Sequence, residues 1–150
     1  MNTYFLCLTQ YVNVGDLLIN KMLIDEFCRH GYVYLDCPDA PEEFRRFLLL
    51  NKNVIDINKV HKFSVRTLNF YRFPSILKKC NITHFSQSPG PIRKKDSYAN
   101  RIFAKYLHYI LKPNKIRECK VGNCCSAIEA RGDMININHS SEIYENTRVY

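Results

Sequence analysis

The sequence has 150 residues, of which 46% are hydrophobic, 24% charged and 13% aromatic. A chain of this length builds one hydrophobic core, and its composition excludes an intrinsically disordered, collagen-like or low-complexity protein. Lysine and arginine number 22 against 14 acidic residues, a net charge of +8, and no apolar run approaches the roughly 18 residues that a membrane span needs.

A βαβ unit is predicted at the beginning of the chain. Residues 3–9 are apolar and rich in strand-forming side chains, which predicts a buried strand. Residues 17–30 have apolar side chains four apart, as expected for a helix that Asp16 caps and Gly31 ends. Residues 32–35 predict a second strand. Two strands joined through a helix favour a parallel sheet with a right-handed crossover.

Five further elements are predicted, namely a helix over residues 41–50, a strand over 53–57, one or two helical turns at 74–79, a strand over 82–85 and an amphipathic helix over 97–112. The alternation predicts an α/β protein whose residues 1–115 form a Rossmann-like α/β/α parallel sheet. The N-terminal residues lack the basic region of a signal peptide, so we expect a cytoplasmic protein.

Residues 116–150 have a different character, and we treat them as a separate segment of uncertain structure. Several small or apolar residues are spaced six apart there, as in the left-handed β-helix of hexapeptide-repeat acyltransferases, namely Cys119, Cys125, Ile137, Ile143 and Val149. Such a solenoid needs three or more repeats, and this segment has room for about two. Chance spacing is therefore the favoured interpretation.

Cysteine and histidine patterns predict no metal site. Cys119, Cys124 and Cys125 cluster, but they lack the paired C-x₂-C spacing that is typical of structural zinc. The five histidines are scattered, and structural or exposed roles are favoured over catalysis, at His30, His61, His84, His108 and His139. No nucleic-acid-binding signature accompanies the basic residues, so we expect no nucleic-acid partner.

The positive charge is concentrated in one part of the chain. Residues 61–120 have a net charge of +12, whereas residues 1–60 and 121–150 each have −2. Such a segment attracts phosphates, carboxylates, anionic lipid headgroups or nucleic acid. On charge alone, a solvated helix face without a ligand is the favoured interpretation.

Two loops are candidates for a binding site, because each follows a predicted strand. The first runs from Asn13 to Asp16, where Gly15 allows a close approach to the backbone and the helix amides can receive an anion. The second is Ser86–Pro91, followed by a basic run. In parallel sheets, ligands bind beyond the carboxyl ends of the strands, so we expect both loops on the same edge. A plain helix cap and a rigid turn are the alternatives.

The residues of these loops resemble a known family. Residues 11–19, with their Asn-Val-Gly-Asp turn before an apolar helix, resemble the N-terminal signature of polysaccharide pyruvyl transferases. Residues 86–92 resemble that family's Gly-Gln-x-Ile-Gly-Pro-Phe loop, with Gln87, Gly90 and Pro91 matching and Ser and Pro in place of the first Gly and the Ile. The resemblance covers about residues 1–95.

The resemblance implies one lobe of a two-lobed enzyme of the glycosyltransferase-B type. Such enzymes transfer a pyruvyl group from phosphoenolpyruvate to a sugar in exopolysaccharide or capsule synthesis, so phosphoenolpyruvate is a donor substrate and no cofactor is implied. The acceptor is a sugar or a lipid-linked glycan, with at most peripheral membrane contact. The substrate-binding residues are then Asn13, Gly15, Asp16, Gln87, Ser88, Gly90, Pro91, Arg93, Lys94 and Lys95.

The sequence also departs from the family pattern. It has no Gly-Gly-Gly turn between the two motifs, and Arg117-Glu118 matches a later Arg-acidic step only in part. A chain of 150 residues holds the first lobe alone, so we expect activity only with a second lobe or in a homo-oligomer, and we assign no catalytic residue. The alternatives are a non-catalytic binding or partner subunit, marked by an exposed apolar patch, and a fragment of a hexapeptide-repeat acyltransferase.

Overall fold

The computed structural model describes residues 1–89, 98–119 and 147–149. Six strands form one sheet in the order β3-β2-β1-β4-β5-β6. The elements in chain order are β1 (Thr3–Leu6), α1 (Val14–Cys28), β2 (Val33–Asp36), α2 (Glu42–Leu48), β3 (Val54–Asp56), α3 (Ile57–Val60), a 3-10 turn (Phe70–Arg72), α4 (Phe73–Lys79), β4 (His84–Gln87), α5 (Tyr98–Leu111), β5 (Arg117–Cys119) and β6 (Thr147–Val149).

Five strands of the sheet are parallel, and β6 pairs antiparallel with β5. Strand β1 lies in the middle, where Thr3 is in register with Val33 of β2 on one side and with His84 of β4 on the other. The predicted Rossmann-like α/β sheet is therefore confirmed. The strand order reverses between β1 and β4, which is where sheets of this kind form a ligand crevice.

Alternate residues of β1 face two separate cores, as the two-residue period of a strand requires. Phe5 packs with Leu23 and Phe27 of α1 on one side of the sheet. Tyr4 packs on the other side with Phe73 and with residues of α4, α5 and β4. Helix α1, which follows β1, and helix α4, which precedes β4, thus cover opposite faces of the sheet. This is the arrangement expected where the strand order reverses, between β1 and β4.

The helix boundaries differ from those predicted. Helix α1 begins at Val14 and not at residue 17, because Asn13 is the N-cap and its Oδ1 accepts a hydrogen bond from the Gly15 amide at 2.9 Å. Asp16, predicted as the cap, lies in the first turn. The helix ends at Cys28, before Gly31. A Cβ at Gly31 would lie 1.6 Å from the Met1 carbonyl oxygen, so this glycine allows a close backbone approach.

One strand lies later than the sequence predicts, and two strands were not predicted. Strand β4 spans His84–Gln87, two residues later than predicted, and β6 was not predicted. Strand β5 was not predicted, since three residues give no readable alternation; it pairs with β4 through His84 and Arg117. Most of the six-residue spacing lies in residues 120–146, outside the described residues.

The buried Asp36 carboxylate ties a long loop to the sheet. Its Oδ2 accepts hydrogen bonds from the Tyr4 hydroxyl at 2.5 Å, from the Ser64 hydroxyl at 3.0 Å and from the Val65 amide at 3.0 Å. Its Oδ1 accepts one from Asn58 Nδ2 at 2.7 Å. Burial raises the pKa of Asp36, and the four donors oppose that rise by favouring the charged form. Four donors on one carboxylate fix the loop after α3 over β1 and β2.

We expect Asp36→Asn to lower the free energy of unfolding by about 2–3 kcal/mol, because the amide has only one acceptor oxygen, so its nitrogen must face at least one of the four buried donors, and the charge that the other donors stabilise is lost. Asp39→Asn is the matched control, since Asp39 is exposed and the charge change is the same; its effect should stay within about 0.5 kcal/mol. Urea denaturation measures both. Equal effects of the two variants would show that the Asp36 hydrogen bonds do not stabilise the loop.

His84 makes stability depend on pH. Its side chain is 8% exposed, and burial, followed by the charge of Arg117, lowers its pKa to about 4. The unfolded chain, with a histidine pKa near 6.5, binds a proton on acidification that the folded chain does not, so stability falls as the pH falls. From pH 7 to pH 5, His84 should account for a loss of about 2 kcal/mol.

Urea denaturation of the wild type and of His84→Gln at these two pH values tests this expectation. Other groups titrate equally in both proteins, so the pH dependence of the variant should be shallower by that amount. If the pH dependence of stability were the same in the wild type and in His84→Gln, His84 would have the same pKa in the folded and the unfolded chain.

Candidate functional site

The two candidate loops meet at the carboxyl ends of β1 and β4. The Ser88 amide donates to the Leu6 carbonyl at 2.9 Å, which extends the parallel pairing by one residue. The Leu8 amide donates to the Ser88 hydroxyl at 3.0 Å. The expectation that both loops open on the same sheet edge is therefore confirmed.

The Asp16 carboxylate holds the first loop in place. Its Oδ2 accepts hydrogen bonds from the Thr9 hydroxyl at 2.6 Å and from the Gln10 amide at 3.2 Å. Its Oδ1 accepts one from Asn13 Nδ2 at 3.4 Å. Asp16 thus shapes the chain between β1 and α1, and its charge lies at the helix N-terminus, where a carboxylate is stabilising.

Asn20 connects the two loops, a role that the sequence analysis missed. Its side chain is 1% exposed. Its Nδ2 donates to the Asp16 carbonyl at 2.7 Å, and its Oδ1 accepts from the Ser88 hydroxyl at 2.7 Å. A polar residue four positions after Asp16, on a helix side otherwise occupied by apolar residues, is the signal that could have revealed it.

Gly15 leaves open space beside Asn13, the N-cap of α1. A Cβ at this position would lie 3.2 Å from Asn13 Oδ1, a tight contact with an exposed side chain, and would meet no other atom closely. Its place in the first turn of α1 makes its backbone ordinary for a helix. The glycine therefore keeps the opening of the helix uncovered, so that another molecule can approach the backbone.

The site residues divide into buried and accessible ones. Ser88 is buried and held by Leu8 and Asn20, whereas Asn13 and Gln87 are exposed. Gln10 is also exposed, and within residues 1–89 the side chains of Gln10 and Gln87 have no hydrogen-bond partner. These two carboxamides can hydrogen-bond a ligand. The predicted site residues Gly90, Pro91, Arg93, Lys94 and Lys95 lie outside the described residues.

Buried thiols near the site are not nucleophiles. Burial raises the pKa of Cys7, beside Ser88, to about 11, and that of Cys37 to about 12.

A cysteine–histidine pair that the sequence did not reveal lies elsewhere in the fold, where Cys80 Sγ is 3.5 Å from His61 Nε2. Burial raises the pKa of Cys80 and lowers that of His61, so both groups are neutral. A protonated thiol is a poor nucleophile.

No protein-family model, curated protein or solved structure matches the chain. None of the helices in the described part of the chain has the length and apolar character needed to cross a lipid bilayer. The described residues also contain no group of three or more His, Cys, Asp or Glu side chains that could hold a metal ion. The loop geometry and the chemistry of its side chains therefore carry the functional argument.

The hydrogen bonds of Ser88 should couple the two loops energetically. Ser88→Ala leaves the Leu8 amide and Asn20 Oδ1 without their partner, and we expect a loss of about 2 kcal/mol in the free energy of unfolding. Ser75→Ala, on an exposed part of α4, is the control and should be neutral or slightly stabilising.

A double-mutant cycle with Asn20→Ala isolates the contact between the two side chains. We expect a coupling energy of about 1 kcal/mol or more, because the side chains touch at 2.7 Å. Additive losses in urea denaturation would show that the two loops are energetically independent.

Proposed function

We propose that this chain is the acceptor-binding lobe of a polysaccharide pyruvyl transferase-like enzyme, which transfers a pyruvyl group from phosphoenolpyruvate to a sugar of a cell-surface polysaccharide. The observation that carries the proposal is the meeting of the two loops. The stretches that resemble the family's two motifs lie 70 residues apart in the sequence, yet Ser88 contacts Leu8 and Asn20 at one edge. That edge is the reversal point of the sheet, which favours ligand binding.

The accessible side chains suit a sugar. The exposed Gln10 and Gln87 carry carboxamides, which both donate to and accept from hydroxyl groups. The exposed Asn13 carboxamide lies beside them, where it also caps α1. The Asp16 carbonyl and the buried Asn20 and Ser88 side chains connect the loops and so hold these carboxamides at fixed positions. In this proposal Asp16 and Ser88 act as positioning residues and do not contact the sugar.

The donor requires groups that a second lobe supplies. Ketal formation joins two hydroxyl oxygens of one sugar to C2 of the pyruvyl group; one addition protonates the methylene carbon, and the second releases inorganic phosphate. Phosphoenolpyruvate is strongly anionic, and the basic run Arg93–Lys95 would steer it or a lipid-linked acceptor towards the crevice. We place the reaction in the cytoplasm, at the inner face of the membrane.

A second candidate function is a non-catalytic lobe that docks another protein chain. An apolar stripe on α1 favours it, since Val14, Leu18 and Met22 lie at helical spacing and are 68%, 50% and 61% exposed. Val12, just before the helix, is 94% exposed. Contiguous exposed apolar surface is a feature of protein interaction sites.

The sugar-binding proposal is tested by titrating methyl glycosides of galactose, glucose and mannose into the ¹⁵N-labelled chain. We expect amide shifts at Gln10, Gly15 and Gln87, and Gly15→Val should weaken the binding by at least about tenfold because its side chain fills the uncovered helix opening. Ala104→Val is the control, since it adds the same branched side chain at an exposed helix position. Shifts elsewhere, or equal binding by Gly15→Val, would contradict the proposal.

Phosphoenolpyruvate alone should raise the melting temperature only slightly, since the resemblance places the main donor contacts in the second lobe. A large rise would show that the donor site lies in this chain. The docking lobe would be favoured if the sugars shift no amide signals and if the chain associates with another protein chain through a contact that Leu18→Lys abolishes.

A further inference from the structure

An open cavity of about 600 Å³ lies at the amino end of the sheet, opposite the edge described above. It is lined by Met1, His30, Thr83, His84, Lys115 and Arg117. These residues come from the starts of β1, β4 and β5 and from the turn after α1. The cavity therefore has no residue in common with the sugar site.

A lysine and an arginine line this cavity. Lys115 and Arg117 are both exposed, and neither side chain has an ion-pair or hydrogen-bond partner among the described residues. Glu26 lies 3.7 Å from His30 Nε2 at the lining and is already paired with Arg29 at 3.0 Å. The Lys115 and Arg117 cations are thus available to an anion.

His84 adds a buried donor that points to a ligand. The side chain is more than nine-tenths buried, lines the cavity, and has its Nδ1 2.8 Å from the Thr83 hydroxyl. No partner for Nε2 exists among the described residues. The Thr83 hydroxyl also lies 3.3 Å from the Asn2 carbonyl, so its single proton has two acceptors. When that proton goes to the nearer Nδ1, the ring proton of the neutral imidazole is on Nε2 and is available to a ligand.

We infer that this cavity binds a phosphate group, with Arg117, Lys115 and the Nε2–H of His84 as its donors. Several phosphate oxygens can accept from a guanidinium, an ammonium and an imidazole at the same time, whereas a carboxylate offers only two oxygens. The remaining space suits a small organic phosphate and exceeds what inorganic phosphate fills. This site is independent of the proposed sugar transfer.

The backbone at Lys115 supplies a variant that separates binding from folding. Lys115 has a φ of 54°, in the left-handed region that favours glycine, so Lys115→Gly removes the charge and relieves backbone strain. Lys62 has a φ of 46° and is exposed, but it does not line the cavity. Lys62→Gly is therefore matched in charge, residue type and backbone conformation.

The experiment follows His84 by NMR while inorganic phosphate or glycerol 3-phosphate is added to the whole chain at constant ionic strength. We expect both probes to shift the His84 ring signals and to raise its pKa by about one unit or more, because a bound anion stabilises the imidazolium. Glycerol 3-phosphate should bind more tightly. Lys115→Gly and Arg117→Gln should each weaken binding by at least about fivefold, while Lys62→Gly binds as the wild type does.

The thermal stability of the variants completes the test. Lys115→Gly should melt no lower than the wild type and still bind phosphate weakly, so unfolding cannot explain its loss. Equal phosphate affinity of Lys115→Gly and Lys62→Gly would overturn the inference. Phosphate-dependent NMR shifts that leave the His84 ring signals unchanged would also overturn it. Tighter binding of inorganic phosphate than of glycerol 3-phosphate would do the same, because the rest of the cavity would then have no role.

Discussion

The parallel hydrogen bonding of β1 to both β2 and β4 is the constraint on which the rest of the structure depends. A buried strand with neighbours on both sides must present alternate residues to two cores, and Tyr4 and Phe5 do so. Because all three strands run the same way, the loops after β1 and β4 open at one edge, while the starts of these strands collect at the other. Both proposed sites follow from this pairing.

At the carboxyl edge, the polar residues that form the most hydrogen bonds form them with other groups of the protein. Asp16 accepts from Thr9, Gln10 and Asn13, and Ser88 joins Leu8 to Asn20. These hydrogen bonds give the crevice a fixed shape, and because the groups that form them are already paired, they are less available to a ligand. In the proposed sugar site, recognition falls to side chains that the same contacts hold at the rim, and this division between positioning and contacting groups is common in binding sites built on rigid elements.

The sequence predicts the βαβ order and the shared edge of the two loops well, because apolar periodicity and parallel topology determine them. It places the α1 cap three residues late, since Asn13 and Asp16 are both good cap residues and only geometry distinguishes them. Asn20 and Asp36 were not predicted. Their partners lie 68 residues away at Ser88 and 32 residues away at Tyr4, and no local pattern encodes such pairs. Residues 90–97, which include the last three residues of the second motif, lie outside the described residues.

The basic segment of the sequence shows how topology separates charges that are close in the chain. Residues 61–120 have a net charge of +12 and are continuous in the sequence. Because β4 and β5 are parallel, α5 must return the chain from the carboxyl edge to the amino edge before β5 begins. Arg93–Lys95 follow the end of β4, whereas Lys115 and Arg117 lie at the start of β5. Lys115 and Arg117 therefore lie at the amino edge of the sheet, opposite the edge of the proposed sugar site, although they belong to the same basic segment of the sequence.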